Sequence, residues 1–204
     1  MKKSMKVLVT VALLLSATLN ASAQFSKKGG NRIPDRFHMG IRGGASYNTY
    51  FGDSDYKGII FPTGGIALDF QVAPIPIFIG TGLNYVNYGC KMEGYYNGYY
   101  QSYRYDIKKD GHSIQMPVTV SYHINVAPNL FINPFAGEFI AYNFNKDFNK
   151  QFNYGLRIGC GLNFGRLTFD LYYDLGLENL GNDRDKAHSE TFFMTVGFNL
   201  AGNR

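Results

Sequence analysis

Residues 152–177 constrain the fold most, because they alternate strictly between apolar and small or polar side chains along two consecutive segments. Large apolar residues and Cys160 occupy every even position of residues 152–164, and apolar residues occupy every odd position of residues 167–177. A period of two is that of a β-strand with one apolar face. Gly165 and Arg166 separate the segments, which predicts a tight hairpin turn between two strands.

Six further segments suggest strands of the same kind. Residues 37–47, 64–72, 77–88, 114–124 and 191–200 alternate with small lapses, such as Phe78 and Phe193. Residues 130–142 contain Pro134 and do not show which face is which, so a bulge is expected there. Counts of 24 Gly, 16 Tyr and 17 Phe fit a β protein and argue against a helical bundle. Intrinsic disorder is disfavoured, because only 17% of the residues are charged and 45% are hydrophobic.

Two architectures can hold eight such strands: a soluble barrel of the lipocalin type and an outer-membrane barrel. The second face is rich in Gly and poor in Lys and Glu, which suits a packed lumen better than a solvated surface. The connections also alternate in length: residues 48–60, 89–113, 143–151 and 178–190 are long or moderate, and residues 73–76, 125–129 and 165–166 are short. Long extracellular loops and short periplasmic turns are typical of outer-membrane barrels. We therefore predict an all-β, eight-stranded antiparallel up-and-down transmembrane β-barrel over residues 37–200, in the bacterial outer membrane, with both termini periplasmic and the long loops extracellular.

The N-terminal segment has the layout of a signal peptide. Lys2, Lys3 and Lys6 precede an apolar run over residues 7–19 and a small-residue cleavage site at residues 21–23. The run is too short to span a bilayer. Cleavage after residue 23 removes three lysines and lowers the net charge from +5 to +2, which weakens the case for a nucleic-acid partner. Residues 24–36 are predicted to be a basic periplasmic leader, either disordered or in contact with a partner.

Five short segments resemble the PorT family of outer-membrane β-barrel proteins, in the same order along the chain. They are residues 37–47 (FHMGIRGGASY), 115–118 (QMPV), 134–137 (PFAG), 155–161 (GLRIGCG) and 195–200 (TVGFNL). The resemblance implies a small outer-membrane barrel without a catalytic motif. It also implies a link to protein secretion, through the member that gives the family its name.

Charged side chains on the Gly-rich face predict a plugged lumen. Eight strands enclose a space that side chains fill, so an open pore is not expected. Charges sealed from water must be paired. We expect an ion-pair network in the lumen, and a proton or ion path is the alternative use of the same groups. Its members are Arg42, Asp69, Glu138, Arg157, Asp170 and Asp174.

The longest connection contains six tyrosines around an Asn97-Gly98 turn signal. This pattern predicts a hairpin that continues two strands beyond the membrane. Two interpretations are open: a surface that binds a glycan or a protein, or an aromatic girdle at the membrane interface in a chain without Trp. The tyrosines are Tyr95, Tyr96, Tyr99, Tyr100, Tyr103 and Tyr105.

Catalytic and metal-binding patterns are weak. His112-Ser113 and His188-Ser189 lie near the predicted extracellular side, where a lipid-modifying enzyme would place its catalytic groups, yet there is no G-x-S-x-G motif. His38 and His123 are expected in the lumen near the periplasmic side. The spacing of His and Cys residues indicates no metal site, and no cofactor is expected.

We therefore predict a monomeric, non-enzymatic barrel in contact with outer-membrane lipid. Its possible partners are envelope or secretion-machinery proteins and a surface glycan, but not nucleic acid. Cys90 is placed where a strand leaves the membrane and Cys160 on the lipid face, so two thiols without a disulfide are expected.

Overall fold

The computed structural model describes residues 37–52, 56–73, 75–97, 102–109, 111–127, 130–144, 151–180 and 187–201. The predicted signal peptide and leader lie outside these residues. The described part of the chain contains the strands β1 (Phe37–Gly52), β2 (Tyr56–Lys57), β3 (Ile59–Ala73), β4 (Ile75–Asn87), β5 (Cys90–Asn97), β6 (Ser102–Lys109), β7 (His112–Tyr122), β8 (Ile124–Ala127), β9 (Leu130–Asn143), β10 (Phe152–Phe164), β11 (Leu167–Gly176) and β12 (Ala187–Ala201). This part holds no helix long and apolar enough to cross a membrane.

Eight of the strands close into an antiparallel barrel. Each pairs with its neighbours in the order β1, β3, β4, β7, β9, β10, β11, β12, and β12 pairs back onto β1. The closing register runs from Met39 opposite Ala201 to Gly52 opposite Ala187. β8 follows β7 after a break at His123 and pairs with β9. The predicted eight-stranded up-and-down barrel is confirmed.

The two ends of the barrel differ in their connections. The turn end carries the start of β1 at Phe37, the end of β12 at Ala201 and the short β3–β4, β8–β9 and β10–β11 connections. The last of these is a tight turn with Gly165 at φ 57°. The loop end carries the connections that follow β1, β4, β9 and β11. Strands extend further toward the loop end than the sequence indicated. The β1–β3 ladder begins at Asn48 opposite Ile59, two residues that were predicted to lie in the connection.

A second, three-stranded sheet stands at the loop end. β5 and β6 form a hairpin whose register runs from Cys90 opposite Lys109 to Asn97 opposite Ser102, and β2 pairs with the base of β5. This connection therefore contains a hairpin, but the hairpin belongs to a sheet separate from the barrel. Tyr99 and Tyr100 lie outside the described residues.

Burial is inverted relative to a soluble protein. Leu156, Ile158 and other large apolar residues point outward, with 48% and 64% of these two side chains exposed. Polar residues such as Asn153, Thr168 and Thr191 point inward and are buried. An apolar outer face with a polar interior is the arrangement of an outer-membrane barrel and not of a lipocalin-type barrel.

Exposed aromatic residues lie on the outer face near both ends. At the loop end the ring of Tyr142 packs against Phe144 and Phe152, with centroids 5.5 and 5.2 Å apart. At the turn end Phe37 packs against Phe70 at 5.0 Å. Such belts mark the two membrane interfaces of a transmembrane barrel.

Candidate functional site

The loop-end half of the lumen is closed by a buried ion pair. The guanidinium of Arg157 on β10 donates from Nε to Oδ1 of Asp174 on β11, and from Nη2 to Oδ2, both at 2.7 Å. The two side chains are 5% and 1% exposed. They meet because Arg157 lies directly opposite Asp174 in the β10–β11 ladder. Bidentate geometry gives the strongest form of such a pair.

Two further polar residues complete this pair. Gln115 accepts a hydrogen bond from Arg157 Nη2 at 2.5 Å and donates to Asp174 Oδ2 at 2.7 Å. It also donates to the hydroxyl of Tyr88 at 2.8 Å. Tyr88 belongs to the connection after β4, and its side chain is fully buried. The network therefore joins one arginine, one aspartate, one glutamine and one tyrosine.

Aromatic rings surround the same pair. The guanidinium of Arg157 lies over the ring of Tyr172, 4.2 Å from its centroid, and 5.6 Å from that of Phe193. Tyr172 and Phe193 are themselves stacked at 4.4 Å. Phe139 and Val86 pack in the same buried cluster. This half of the lumen is therefore filled by side chains.

A second ion pair lies toward the turn end. Arg42 Nε contacts Asp170 Oδ2 at 3.1 Å, and Arg42 Nη1 donates to Asn199 Oδ1 at 3.2 Å. Asp69 also faces the lumen but forms no ion pair with another described residue. Five members of the predicted network thus face the lumen. Four of them form two separate pairs, Arg42 with Asp170 and Arg157 with Asp174, and Asp69 belongs to neither pair.

Glu138 does not belong to the network, which corrects the prediction. On β9 the odd-numbered residues Phe139 and Ala141 point inward and are buried, whereas Glu138 points outward and is exposed. It lies opposite Val118 on β7 and Leu156 on β10, both of which face outward. The sequence could not place it, because the outward residues of β9 include proline, alanine and glutamate and do not alternate in polarity with the inward ones.

A cavity of about 100 Å³ lies between the two ion pairs and the turn end. It is large enough to hold water. The arrangement favours a structural plug over a continuous ion path, because buried side chains fill the other half. Polar residues that line the cavity include Arg42, Asp69, Asp170, Asn133, Thr119 and His123.

Three rings stack at the turn end of the lumen. Phe78 lies between His123, 3.9 Å away, and His38, 5.3 Å away. Ser121 Oγ is 3.2 Å from His123 Nε2. The predicted inward placement of both histidines near this end is confirmed. Phe78 breaks the apolar-outward alternation of its segment because it fills the lumen, as Phe193 does on β12.

The hairpin of β5 and β6 is fixed to the lumen plug at its base. Asn87 Oδ1 accepts hydrogen bonds from the backbone N–H groups of Gly89 and Gly111, at 2.8 and 3.0 Å. The hydroxyl of Tyr50 donates to the carbonyl oxygen of Tyr88 at 2.5 Å. These bonds turn the chain inward and hold the ring of Tyr88 in the lumen. Sequence analysis missed Tyr88, Asn87 and Gln115, whose only signal was an uncharged polar residue on an inward face.

In the two His-Ser pairs, residues that are adjacent in sequence do not meet in the structure. His112 is exposed on the outer face, where its Nδ1 lies 2.5 Å from the Tyr85 hydroxyl, whereas Ser113 is buried inside and bonded to Asn143. Ser189 is likewise buried, and it accepts a hydrogen bond from Asn153. Adjacent residues of a strand point to opposite faces. No group of three potential metal ligands occurs among the described residues.

The two cysteines lie in different surroundings. Cys90 packs in a buried loop-end cluster with Tyr50, Leu180 and Ala187. Cys160 lies on the outer face and is exposed, as predicted. They are not joined by a disulfide.

Three solved structures of other proteins are similar to this chain. The N-terminal β-barrel domain of Pseudomonas aeruginosa OprF is 14% identical, covers 82% of this chain and 99% of its own, and has a TM-score of 0.41. Escherichia coli outer membrane protein W is 10% identical, covers 81% and 99%, and has a TM-score of 0.42. Ail, the attachment invasion locus protein of Yersinia pestis, is 11% identical, covers 80% and 98%, and has a TM-score of 0.37.

No curated protein matches the chain. The family model described as "Outer membrane protein beta-barrel domain" matches residues 22–182, from before the first described strand to the connection after β11. The chain therefore belongs to the outer-membrane β-barrel domain family and is a protein of the bacterial outer membrane.

Proposed function

We propose that this protein is a non-enzymatic barrel that acts in binding or assembly at the outer membrane and does not conduct solutes. The closed lumen carries this proposal, since Arg157, Asp174, Gln115 and Tyr88 are buried and hydrogen-bonded across its loop-end half. Because the described side chains fill this half of the lumen, we place the function at the ends and on the outer face of the barrel.

The proposed orientation places both termini in the periplasm and the loop end outside the cell. The start of β1, the end of β12 and the short connections share one end of the barrel, and the longer connections share the other. Outer-membrane barrels of even strand number have this arrangement. A periplasmic leader over residues 24–36 would then stand where a secretion component could reach it.

A secretion accessory role is the first candidate. The PorT-like segments, among them QMPV on β7 and GLRIGCG on β10, support it. In this role the barrel would anchor an envelope complex, and the residues in contact with partners would be those of the turn end and the leader.

A surface adhesin or glycan-binding barrel is the second candidate. The loop-end sheet favours it, because the aromatic belt of the barrel is already supplied by residues such as Tyr142, Phe144 and Phe152. The hairpin tyrosines are therefore not needed for that belt. The register also places Lys91 of β5 opposite Lys57 of β2 on one side and opposite Lys108 of β6 on the other, so three basic residues share one row of the loop-end sheet. An anionic glycan would suit such a row.

One set of strains separates the two candidates. The secreted and periplasmic proteomes of a deletion strain are compared with those of strains complemented by the full chain, or by a variant in which residues 92–107 are replaced by a two-residue Asn-Gly turn. A secretion accessory predicts that cargo is retained in the periplasm on deletion and is released in both complemented strains. An adhesin predicts unchanged proteomes and loss of glycan or cell binding in both the deletion and the shortened variant. Heat-modifiable gel migration controls for folding of the shortened barrel.

A further inference from the structure

Glu138 places a carboxyl group on the lipid face at mid-height of the barrel. It is the ninth of the 14 residues of β9, five residues from the loop-end terminus of the strand and eight from its start. At about 3.3 Å per residue and a tilt of about 40°, it lies about 13 Å below one end and about 20 Å above the other. Tyr142 of the loop-end belt is four residues above it. The carboxyl therefore lies within the hydrocarbon layer.

The barrel itself supplies no partner for this group. The residues opposite Glu138 are Val118 and Leu156, and its nearest outward neighbours on β9 are Ala136 and Ile140. Its carboxyl makes no hydrogen bond or ion pair with a described residue. Polar groups left unsatisfied in hydrocarbon cost several kcal/mol, and ionisable residues in such positions are rare and usually paired. Another molecule in the membrane is the remaining source of a partner.

The surface around Glu138 permits close approach. Pro134 and Ala136 precede it on the same face and are short, while Val120 on β7 and Ile158 on β10 stand out on either side, 56% and 64% exposed. The outer face of β9 is therefore a shallow groove between two apolar ridges, with the carboxyl in its floor. Small residues let two backbones come together in a membrane.

We infer that a second copy of this chain docks on β9, with the two Glu138 carboxyl groups hydrogen-bonded to each other across a two-fold axis parallel to the membrane normal. A neutral carboxylic acid carries one donor and one acceptor, so two of them satisfy each other. A second barrel in the same orientation carries the same group at the same depth by necessity. The sequence indicated a monomer; the outward carboxyl is the reason to expect a dimer. This pairing does not depend on what the loop end binds.

The symmetry also fits the local shape. A two-fold axis along the membrane normal makes the two β9 strands cross at about twice their tilt, so the contact is concentrated near one point. The short side chain of Ala136 lies beside that point. The contact therefore needs only a small patch. The two carboxyl groups complement each other within the space that the two facing grooves leave.

Cysteine crosslinking in isolated outer membranes tests the contact. Two glutamate side chains paired through their carboxyl groups hold their Cα atoms about 10 Å apart, which is beyond the reach of a disulfide. Glu138→Cys, in a Cys160→Ser background, is therefore expected to form a dimer linked by a bis-maleimide reagent that spans about 10 Å. Ala45→Cys in the same background is the matched control, because Ala45 faces outward near the middle of β1, four strands away on the opposite side. Crosslinking of Glu138→Cys no stronger than that of the control would overturn the inference.

Fluorescence transfer between labelled barrels in lipid vesicles tests the role of the carboxyl. Glu138→Leu is expected to fold, since leucine suits the lipid face, and to weaken dimerisation about tenfold, the equivalent of about 1.4 kcal/mol. Glu138→Gln is expected to keep the dimer, because two amides also pair. Unchanged dimerisation of Glu138→Leu would refute the pairing. Loss of association in Glu138→Gln, together with a crosslink of Glu138→Cys to a different protein, would assign the site to a basic partner instead.

Discussion

Replacing Arg157 with leucine should strongly destabilise the barrel. The substitution removes both hydrogen bonds to Asp174 and the one to Gln115, and it leaves a carboxylate that is 1% exposed without its cation. Removing one partner of a buried ion pair costs about 3–5 kcal/mol of the free energy of unfolding. For a chain of this size, each kcal/mol lowers the melting temperature by about 2–4 °C. We therefore expect the midpoint to fall by about 6–20 °C.

The measurement is the loss of the fast-migrating folded band on gels as the protein in detergent micelles is heated. The double variant Arg157→Leu/Asp174→Leu is the matched control, because it removes both charges and leaves no uncompensated carboxylate. Its midpoint should lie closer to that of the unchanged protein than the midpoint of Arg157→Leu does. An unchanged midpoint for Arg157→Leu, or a double variant no more stable than the single one, would refute the reasoning.

Three further predictions concern the closing seam, the plug and the lumen. Gly44→Ala should abolish the folded band, because its Cβ would overlap the carbonyl oxygen of Met194 and lie 2.7 Å from Thr195 Cα, whereas Gly43→Ala, with nothing within 4 Å, should fold normally. Tyr88→Phe should lower the free energy of unfolding by about 1 kcal/mol in urea titration, since it removes one hydrogen bond from Gln115. The full chain in planar bilayers should show no steady conductance, and stepwise open channels would contradict the closed lumen.

The sequence predicted the barrel well where one face is uniformly apolar. The predicted bounds of β10 match the structure, and those of β11 differ by one residue. Both predictions were close because neither strand has an exception to alternation. Phe78 and Phe193 broke the pattern because large rings also fill a lumen, so polarity alone does not assign their faces. β9 failed for the opposite reason. Its outward face carries Pro134 and Glu138, so apolar character does not mark this face as the one that meets lipid.

The candidate site was predicted only as a set of charges. Five of the six residues face inward, but which carboxylate meets which arginine depends on the register between strands, which one sequence does not contain. Arg157 meets Asp174 because the Gly165 turn fixes the β10–β11 register. The pairing of Arg42 with Asp170 crosses two ladders, through β12. Tyr88 ends the predicted strand 77–88, and nothing in the sequence shows that its ring turns into the lumen from the connection after β4.

The seam between β1 and β12 determines when this chain can become a barrel. Its first pair joins Met39 to Ala201, residues near opposite ends of the described chain. Contacts so distant in sequence form slowly, and until they form both terminal strands present open edges. An open edge cannot stay in hydrocarbon. The chain must therefore be held unfolded until its last strand has been made, and a product truncated before β12 would be an aggregation hazard, not a smaller barrel.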